Sequence, residues 1–403
     1  MNIKSTFILS CLGFAVAVTQ PAKAALTWHD VQFGGFVSQG YLVNTGSNDY
    51  LGNTSDGTFD FREWAANASY SFGKWRIGAQ VFGQRLGVYG GDRPKLDWAS
   101  IDYQPAQWFG VRAGRIKMPR GLYNEALDLD SVRPFVLLPQ SVYDARLRDF
   151  NAAFNGGMIY GNVELHRFGS LDYKAFLGDI PMSTSSGAND YFNNDAPFPN
   201  TAIGMDTVRG GSLFWNTPTS GLRVGYSYNV FVNMNSDRLV TTGPSTTLAM
   251  FKNGPHYERH LLSVEYTMGD WVFAAEAGRE RAHYNIGIIG SPAVIAVFKF
   301  QSDSAYLSAT RRINRWLEMG TYVSHSKDRQ YSVAGTVFPI PDLKQDDYAL
   351  SAKFDLTEHL IFKLEGHYMH GSGKIFSTPT HPQPVTARDN SWEMLAAKVT
   401  YSF

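Results

Sequence analysis

Charged residues of both signs are concentrated in one stretch, residues 118–149, which reads MPRGLYNEALDLDSVRPFVLLPQSVYDARLRD. The charges are four arginines and five carboxylates: Arg120, Arg133, Arg146, Arg148, Glu125, Asp128, Asp130, Asp144 and Asp149. Fixed guanidinium and carboxylate groups on opposite sides of a constriction create a transverse field that orients polar solutes and sets ion preference. The stretch therefore predicts selection of ions or polar solutes, provided that the fold places it in a passage.

Motifs for catalysis and metal binding are incomplete. His256 and His260 share one face of a predicted strand, but four residues of strand separate them by about 13 Å, too far to share a metal ion. The GSGKI stretch at 371–375 lacks the upstream glycine of a phosphate-binding loop, and Ile375 replaces its Ser or Thr. HExxH and GxSxG motifs do not occur. We therefore expect no enzymatic activity, no cofactor and no bound metal.

The first residues have the features of a secretory signal. Lys4 supplies a positive charge, FILSCLGFAVAV at 7–18 is an apolar stretch, and Ala22-Lys23-Ala24 is a small-x-small cleavage site. We predict cleavage after Ala24 and a single domain over residues 25–403. The only cysteine, Cys11, would leave with the signal, which excludes a disulfide framework and thiol catalysis in the remaining chain.

Alternation with a period of two is the dominant pattern in the rest of the sequence. In LRVGYSYNVFV, residues 222–232, apolar residues from Leu222 to Val232 occupy one face, whereas Arg223, Ser227 and Asn229 occupy the other. Similar segments recur, each about ten residues long, the length that a tilted strand needs to cross a bilayer. With 36 basic and 36 acidic residues, the chain has no strong field for nucleic acid.

The connections between these segments alternate in length. Seven short turns are predicted near 73–74, 104–107, 165–170, 217–221, 269–270, 313–315 and 357–358, and eight long loops near 45–59, 86–95, 118–149, 181–207, 235–255, 284–299, 329–345 and 371–390. Fifteen connections join sixteen strands. We therefore predict an all-β fold, a transmembrane antiparallel β-barrel of sixteen strands with short periplasmic turns and long extracellular loops. Tryptophans near strand ends, including Trp75, Trp108 and Trp392, are predicted at the two lipid–water boundaries.

The polar faces must then point inward. Sixteen strands leave an aqueous lumen that side chains alone cannot fill, and residues 118–149 form the third long loop, which we expect to fold inward and narrow the pore. The side chains predicted from parity to line the wall are Arg76, Arg223, Glu276, Glu318, Lys353, Lys363, Glu365 and His367. The direction of Arg112 and Lys117 stays open, because both faces of their strand contain apolar residues.

With a signal peptide, sixteen amphipathic strands, a long third loop and a terminal aromatic residue, the sequence resembles the Gram-negative outer-membrane porins. Residues 114–144 are further similar to the phosphate-selective porin O and P group. The resemblance implies an outer-membrane location, passive diffusion and a homotrimer, in contact with membrane lipid and lipopolysaccharide. It also implies that a final strand ending in Tyr401 and Phe403 is the signal read by the barrel-assembly machinery.

Three hypotheses follow from the sequence. The first is a water-filled channel for ions and small hydrophilic solutes, in which replacing Arg146 and Arg148 by alanine should shift selectivity toward cations. The second is a structural or adhesive barrel with a closed lumen, to which aromatic, Asn-rich loop sequence such as GANDYFNNDAPFPNT would belong. The third is an outer-membrane enzyme, for which the sequence nominates no Ser–His pair.

Overall fold

The structure is a computed structural model that describes residues 26–28, 30–193, 198–243, 246–335, 343–378 and 381–403. The predicted signal peptide, residues 1–24, lies outside the described residues. The strands are β1 (Leu26–Trp28), β2 (Val31–Asn44), β3 (Phe61–Phe72), β4 (Trp75–Leu86), β5 (Lys95–Ala106), β6 (Phe109–Lys117), β7 (Ala153–Glu164), β8 (Ser170–Asp179), β9 (Asn200–Gly204), β10 (Thr207–Asn216), β11 (Leu222–Gly243), β12 (Thr246–Met268), β13 (Trp271–Ile288), β14 (Val294–Arg312), β15 (Leu317–Ala334), β16 (Leu343–Asp355), β17 (Leu360–Gly371) and β18 (Ser391–Ser402).

Helical structure is confined to short segments in the described residues. The α-helices are α1 (Arg148–Asn151) and α2 (Gly187–Phe192), and the 3-10 helices are Asn124–Ala126, Asp130–Val132, Ala145–Leu147, His166–Phe168 and Val385–Ala387. None of the helices in the described part of the chain is long and apolar enough to cross a membrane.

Antiparallel pairing closes the sheet on itself. Strands β2 to β8 pair in sequence, β8 pairs with β10, strands β10 to β18 pair in sequence, and β18 pairs back with β2. The predicted antiparallel barrel of sixteen strands is therefore confirmed. Two short strands lie outside this ring, since β1 pairs with β2 and β9 pairs with the far end of β11. Closure gives every barrel strand two partners, which removes the free edge that could not persist in hydrocarbon.

The turns at one end of the barrel are short, as predicted. Two residues separate β3 from β4, β5 from β6 and β12 from β13, and the other four turns at this end are no longer than five residues. At the opposite end, several predicted loops continue as strands. Paired backbone runs through most of the predicted loop 235–255, with Asp237 opposite Phe251, and through parts of 284–299 and 329–345. The loop prediction was wrong there because it relied on polarity, whereas a hairpin in water pairs its backbone whatever its side chains are.

Burial on the two faces of the sheet is the reverse of that in a soluble protein. Leu350 and Leu307 are 60% and 57% exposed on the outer face, whereas Lys363 and Glu365 on the inner face are 1% and 0% exposed. Charged residues are almost never fully buried unless they are paired, and large contiguous apolar surfaces mark contact with another phase. The outer face is therefore built for lipid, and the inner face encloses polar groups.

The tryptophans beside the short turns are exposed, as predicted for a lipid–water boundary, but Trp392 is not. Trp75, Trp108, Trp215 and Trp316 lie beside short turns and are between 41% and 62% exposed. Trp392 was predicted at a lipid–water boundary, and this prediction was wrong. It is 2% exposed, and its indole N–H donates to the carbonyl of Gly371 at 3.0 Å. The alternation in β18 explains its position, because its neighbours in sequence point outward.

The seam between the first and last barrel strands includes the final residue. The N–H of Phe403 donates to the carbonyl of Gly35 at 3.0 Å, and the N–H of Gly35 donates to the carbonyl of Phe403 at 3.1 Å. Tyr401 lies opposite Val37, and both side chains are exposed on the outer face.

Deleting Phe403 removes this pair of backbone hydrogen bonds at the seam. We expect the level of folded barrel in the outer membrane to fall severalfold, whereas the molecules that insert should conduct as the wild type does. Heat-modifiable mobility in membrane fractions measures the first effect, and single-channel recording measures the second. Phe403→Tyr, which keeps the backbone and the ring, is the control, and normal membrane levels of the deletion variant would contradict the prediction.

Candidate functional site: the third loop and the inner face

The third loop leaves the barrel after Lys117 at the end of β6 and returns at Ala153 in β7. Its regular structure is limited to three 3-10 turns and the four-residue helix α1. Its apolar residues Val136 and Leu137 are nevertheless only 3% and 4% exposed. A loop whose apolar residues are buried is packed by its surroundings, and the partners are side chains of the barrel wall.

The first anchor is the carboxylate of Glu276 on β13, which is 2% exposed. Its Oε1 accepts the backbone N–H of Leu122 at 3.0 Å, and the hydroxyl of Tyr143 also donates to this carboxylate. Two wall residues complete its shell, because the hydroxyls of Ser263 and Tyr306 donate to it as well. One buried carboxylate thus ties two distant parts of the loop to the same place on the wall.

The second anchor is Glu365 on β17. Its Oε2 and Oε1 accept the backbone N–H groups of Val136 and Leu137, each at 2.9 Å. His367 Nε2 lies 2.9 Å from Oε1 of Glu365, and its Nδ1 lies 3.0 Å from a carboxylate oxygen of Asp347. The imidazole is thus held between two carboxylates and keeps Glu365 oriented toward the loop.

Backbone carbonyls of the same part of the loop are bound by β16. The ammonium of Lys353 donates to the carbonyl of Ser131 at 2.6 Å, and the hydroxyl of Ser351 donates to the carbonyl of Pro134 at 2.7 Å. Wall side chains therefore satisfy both donors and acceptors of the loop backbone, as buried backbone groups require.

Asp130 forms the third anchor, at the centre of a cluster of cations. Its carboxylate lies 3.1 Å from the ammonium of Lys363 and 2.9 Å from that of Lys398, and the Thr400 hydroxyl donates to it at 2.6 Å. Burial favours the neutral acid, but the charges of Lys363, Lys398 and Arg133 outweigh it and hold the pKa of the Asp130 carboxyl well below its ordinary value. The group therefore stays ionised.

Arg146 is enclosed rather than exposed to a passage, since its side chain is 0% exposed. It forms two hydrogen bonds with the carboxylate of Asp144, at 2.9 and 2.7 Å, and donates to the carbonyls of Tyr50 and Lys374. Its guanidinium also lies 3.7 Å from the ring centroid of Phe376. Burial disfavours the charge, but the Asp144 carboxylate more than offsets this and raises the pKa of Arg146.

Arg148 joins the end of the loop to the opposite side of the barrel. Its guanidinium lies 2.6 Å from carboxylate oxygens of both Asp97 on β5 and Asp128 in the loop. Lys117 bridges the same two carboxylates. Burial would raise the pKa of Asp128, but the charges of Arg148 and Lys117 lower it. These four residues form an ion-pair network without a free charge of either sign.

Three further predicted loop charges have partners on the wall: Arg120 lies 3.9 Å from Glu280, Glu125 pairs with Lys174, and Asp149 pairs with Lys95 at 2.9 Å. Arg133 instead lies 3.9 Å from Asp130 within the loop. Among the predicted wall residues, Glu276, Lys353, Lys363 and Glu365 bind the loop directly, and His367 and Glu318 contact those residues. Arg223 instead faces Asp172 across the wall at 3.6 Å.

A cavity of about 410 Å³ remains between the loop and strands β2 to β6, and β17 and β18 complete its wall. Its lining includes Arg76, Trp98, Asp102, Arg112 and Arg115. Of these residues, only Arg76 was predicted from the strand alternation to face the lumen. Arg112 and Arg115 are three residues apart, so strict alternation would place them on opposite faces. Gly114 between them has a φ of 124°, a conformation that favours glycine, and the alternation is broken there.

The chain forms a closed sixteen-stranded barrel with an apolar outer face, a polar inner face and a long loop attached to the inner face. These features define the class of outer-membrane β-barrels to which porins belong. Three solved structures that are similar to this chain are outer-membrane proteins or porins.

OmpT, an outer-membrane protein of Vibrio cholerae, matches with a TM-score of 0.54 and 11% identity over 94% of this chain and 100% of the other. The anion-selective porin from Comamonas acidovorans matches with a TM-score of 0.54 and 12% identity over 93% and 99% of the two chains. OmpF from Salmonella typhi matches with a TM-score of 0.55 and 12% identity over 93% and 97%.

These similarities show the fold, and the neighbours agree with the predicted location in the cell outer membrane. No protein-family model matches the chain, and no curated protein sequence matches it. The narrower resemblance to the phosphate-selective porin O and P group stays a prediction.

Replacing Glu365 by alanine leaves two loop N–H groups without their acceptor. Each hydrogen bond to a charged group contributes about 1.5–3 kcal/mol, so we expect backbone amides of residues 131–138 to exchange hydrogen at least tenfold faster. Hydrogen exchange of the folded protein in detergent measures this. Glu393→Ala, at an exposed position on β18, is the matched control, and unchanged exchange in E365A would show that Glu365 does not hold the loop.

Asp130→Asn leaves the two lysines without their shared carboxylate, which costs about 3–5 kcal/mol for a broken buried pair. Because the folded-state pKa of Asp130 lies below its unfolded value of about 3.9, its stabilising effect is complete above pH ~5 and is lost as the pH falls through the folded pKa. D130N should therefore be less stable than the wild type at pH 5, and the difference in unfolding free energy should shrink as the pH falls below about 4. Chemical denaturation at several pH values tests this, with the exposed Asp56→Asn as control.

Proposed function

We propose that the protein is an outer-membrane channel for passive diffusion of ions and small hydrophilic solutes, and that its third loop folds inward and narrows the pore. The observation that carries this proposal is the attachment of the loop to the inner face, through Glu276 and Glu365 of the wall and Asp130 of the loop, beside a cavity of about 410 Å³. A loop held in this way narrows the lumen and leaves a passage lined mainly by β2 to β6.

The passage beside the loop is lined by charged side chains of both signs, most of which form ion pairs. Arg112 lies 2.5 Å from Asp102, and Lys117 and Arg148 together pair with Asp97 and Asp128, so these charges are balanced. Among the described residues, no ion pair involves Arg76 or Arg115, and both guanidinium groups line the cavity. Unbalanced fixed charge in a narrow passage attracts ions of the opposite sign. We therefore propose a modest preference for anionic solutes.

The buried loop arginines change the expectation derived from the sequence. Arg146 is fully enclosed with Asp144, and Arg148 is paired with two carboxylates. Replacing them should loosen the loop, because buried pairs are costly to break, and any change of selectivity would be a consequence of that loosening. The residues that face passing ions are instead Arg76 and Arg115.

Assembly as a homotrimer is part of the same proposal. It is supported by a similar structure of OmpT from Vibrio cholerae that is described as a trimer form, with a TM-score of 0.52. Passive diffusion requires no catalytic group, and we propose no enzymatic activity.

The double variant R76Q/R115Q tests both the path and its selectivity. In planar bilayers under a salt gradient, the wild type should show discrete conductance steps, and the reversal potential of the double variant should shift toward that of a cation-selective channel. The matched control, R167Q/R315Q, removes two arginines from the exposed short turns and should leave the reversal potential unchanged.

Two results would contradict the proposal. Absence of conductance at any voltage in the correctly folded wild type would favour the closed-lumen structural barrel. Equal shifts in R76Q/R115Q and in the control would show that these two side chains do not line the ion path.

A further inference from the structure

Trp98 on β5 lines the cavity beside the third loop. It is half-buried, and within the described ranges its indole forms no hydrogen bond and no contact with another ring or with a cation. Trp392 also points inward, but it is 2% exposed and its N–H donates to the carbonyl of Gly371 at 3.0 Å. Because a buried indole N–H usually finds a protein partner, the unpartnered Trp98 is available to a molecule in the cavity.

The wall beside Trp98 leaves room for such a molecule. Gly78 on β4 also lines the cavity, and a Cβ at this position would lie only 3.0 Å from the Trp98 ring. The lack of a side chain therefore allows the indole to lie over Gly78. The cavity of about 410 Å³ falls within the range of about 300–1,000 Å³ that is typical of small-molecule sites.

The register places polar groups around the indole. Ser100 is two residues from Trp98 along β5 and lies opposite Gly78. Arg115 on β6 lies opposite Ala99, which is the residue next to Trp98. Since neighbouring strands are about 4.8 Å apart, one small molecule can reach the indole, the hydroxyl of Ser100 and the guanidinium of Arg115 together.

A fourth group lies on the other side of the indole. Gln80 on β4 lies opposite both Trp98 and Asn67 of β3. The side-chain amide of Asn67 donates to Gln80 at 3.4 Å, whereas its carbonyl oxygen accepts no hydrogen bond from a described residue. The hydroxyl of Ser100 has no partner in the described part of the chain either. We call Trp98, Ser100, Asn67 and Arg115 the Trp98 subsite.

Guanidinium groups supply positive charge to this part of the cavity. Arg115 uses its Nε for the carbonyl of Asp97 and its Nη1 for the side chain of Asn155, which leaves its Nη2 for an anion. Arg76 is opposite Asp102, four residues from Trp98 along β5 and about 13 Å nearer the short turns. An anion that moves along the cavity from the short-turn end therefore meets Arg76 before it reaches the Trp98 subsite.

Each kind of group in the subsite restricts the class of ligand. A guanidinium group selects an anion, and it binds carboxylates through parallel hydrogen bonds. An indole packs against a flat apolar surface, and the Ser100 hydroxyl and the Asn67 carbonyl suit hydroxyl groups, which both donate and accept. A neutral sugar would leave Arg115 unused, and an aromatic carboxylate would leave Ser100 and Asn67 unused.

We propose that the Trp98 subsite binds a sugar acid, a pyranose ring that carries a carboxylate. The C–H face of the ring packs on Trp98, the carboxylate binds Arg115, and the ring hydroxyls bind Ser100 and Asn67. This inference rests on the proposed channel function, since it names the class of solute that is retained in the passage.

The first test compares three ligands on the refolded full-length wild type in detergent, and it needs no variant to fold. Titrations followed by saturation-transfer NMR measure the binding of galacturonate, galactose and benzoate. Galactose lacks the carboxylate, and benzoate lacks the hydroxyl groups. We expect galacturonate to bind about tenfold or more tightly than either, because a hydrogen bond to a charged group and the pairing of buried polar groups both contribute to affinity.

The second test compares two tryptophan variants. W98L should bind galacturonate about fivefold or more weakly, because it keeps an apolar side chain but loses the flat aromatic face. W108L is the matched control, since Trp108 is 62% exposed beside a short turn, and it should bind as the wild type does.

The proposal is overturned by equal binding of galactose or benzoate, by unchanged binding in W98L, or by an equal loss in W108L. Planar-bilayer recordings of the same wild-type preparation separate it from the channel function. Normal conductance without galacturonate binding overturns the subsite alone. Absence of conductance overturns the channel function, and with it the role of the subsite in solute passage.

Discussion

Backbone hydrogen bonding in a lipid environment is the constraint on which the rest of this structure depends. Each strand must find two partners, because an unpaired N–H or C=O in hydrocarbon costs several kcal/mol. The only way for a sheet to meet this demand is to close, and here β18 returns to β2 as far as the backbone of the last residue. Closure of sixteen strands creates an interior that wall side chains cannot fill, so the interior must contain water, another part of the chain, or both.

The backbone of the third loop must also form hydrogen bonds, but it forms them with side chains of the wall and not with a neighbouring strand. Its backbone forms little secondary structure, yet it lies against the inner face, where its N–H and C=O groups need partners. Those partners are charged side chains: Glu276 and Glu365 accept loop N–H groups, and Lys353 donates to a loop carbonyl. Charged side chains suit this role because one carboxylate or ammonium can bind several backbone groups.

The charged residues fall into two groups, those buried in ion pairs and those that line the cavity. Asp128, Asp130, Asp144 and Arg146 are buried in ion pairs, and the neighbouring opposite charges keep them ionised. Such pairs fix the position of the loop, but they present little net field to the cavity. The field along the remaining cavity comes from the charges that these networks leave unbalanced, chiefly those of Arg76 and Arg115.

Much of the fold could be predicted from the sequence, because alternation along a strand and turn length are local properties. The sixteen strands, the short turns and the inward parity of residues such as Glu365 and Lys363 follow from them. Local patterns could not reveal that β11 and β12 extend beyond the membrane, since pairing in water does not require apolar residues. They also could not place Arg115, because Gly114 interrupts the alternation.

The sequence alone also could not predict which residues the loop charges pair with. Nine charged residues in one loop predict an electrostatic role, but whether each faces water or a counter-charge depends on contacts between residues far apart in sequence. Asp130 meets Lys363 and Lys398 only because barrel closure brings β17 and β18 against the loop. The periodicity of one strand specifies which side chains point inward, and the closed ring decides which of them meet.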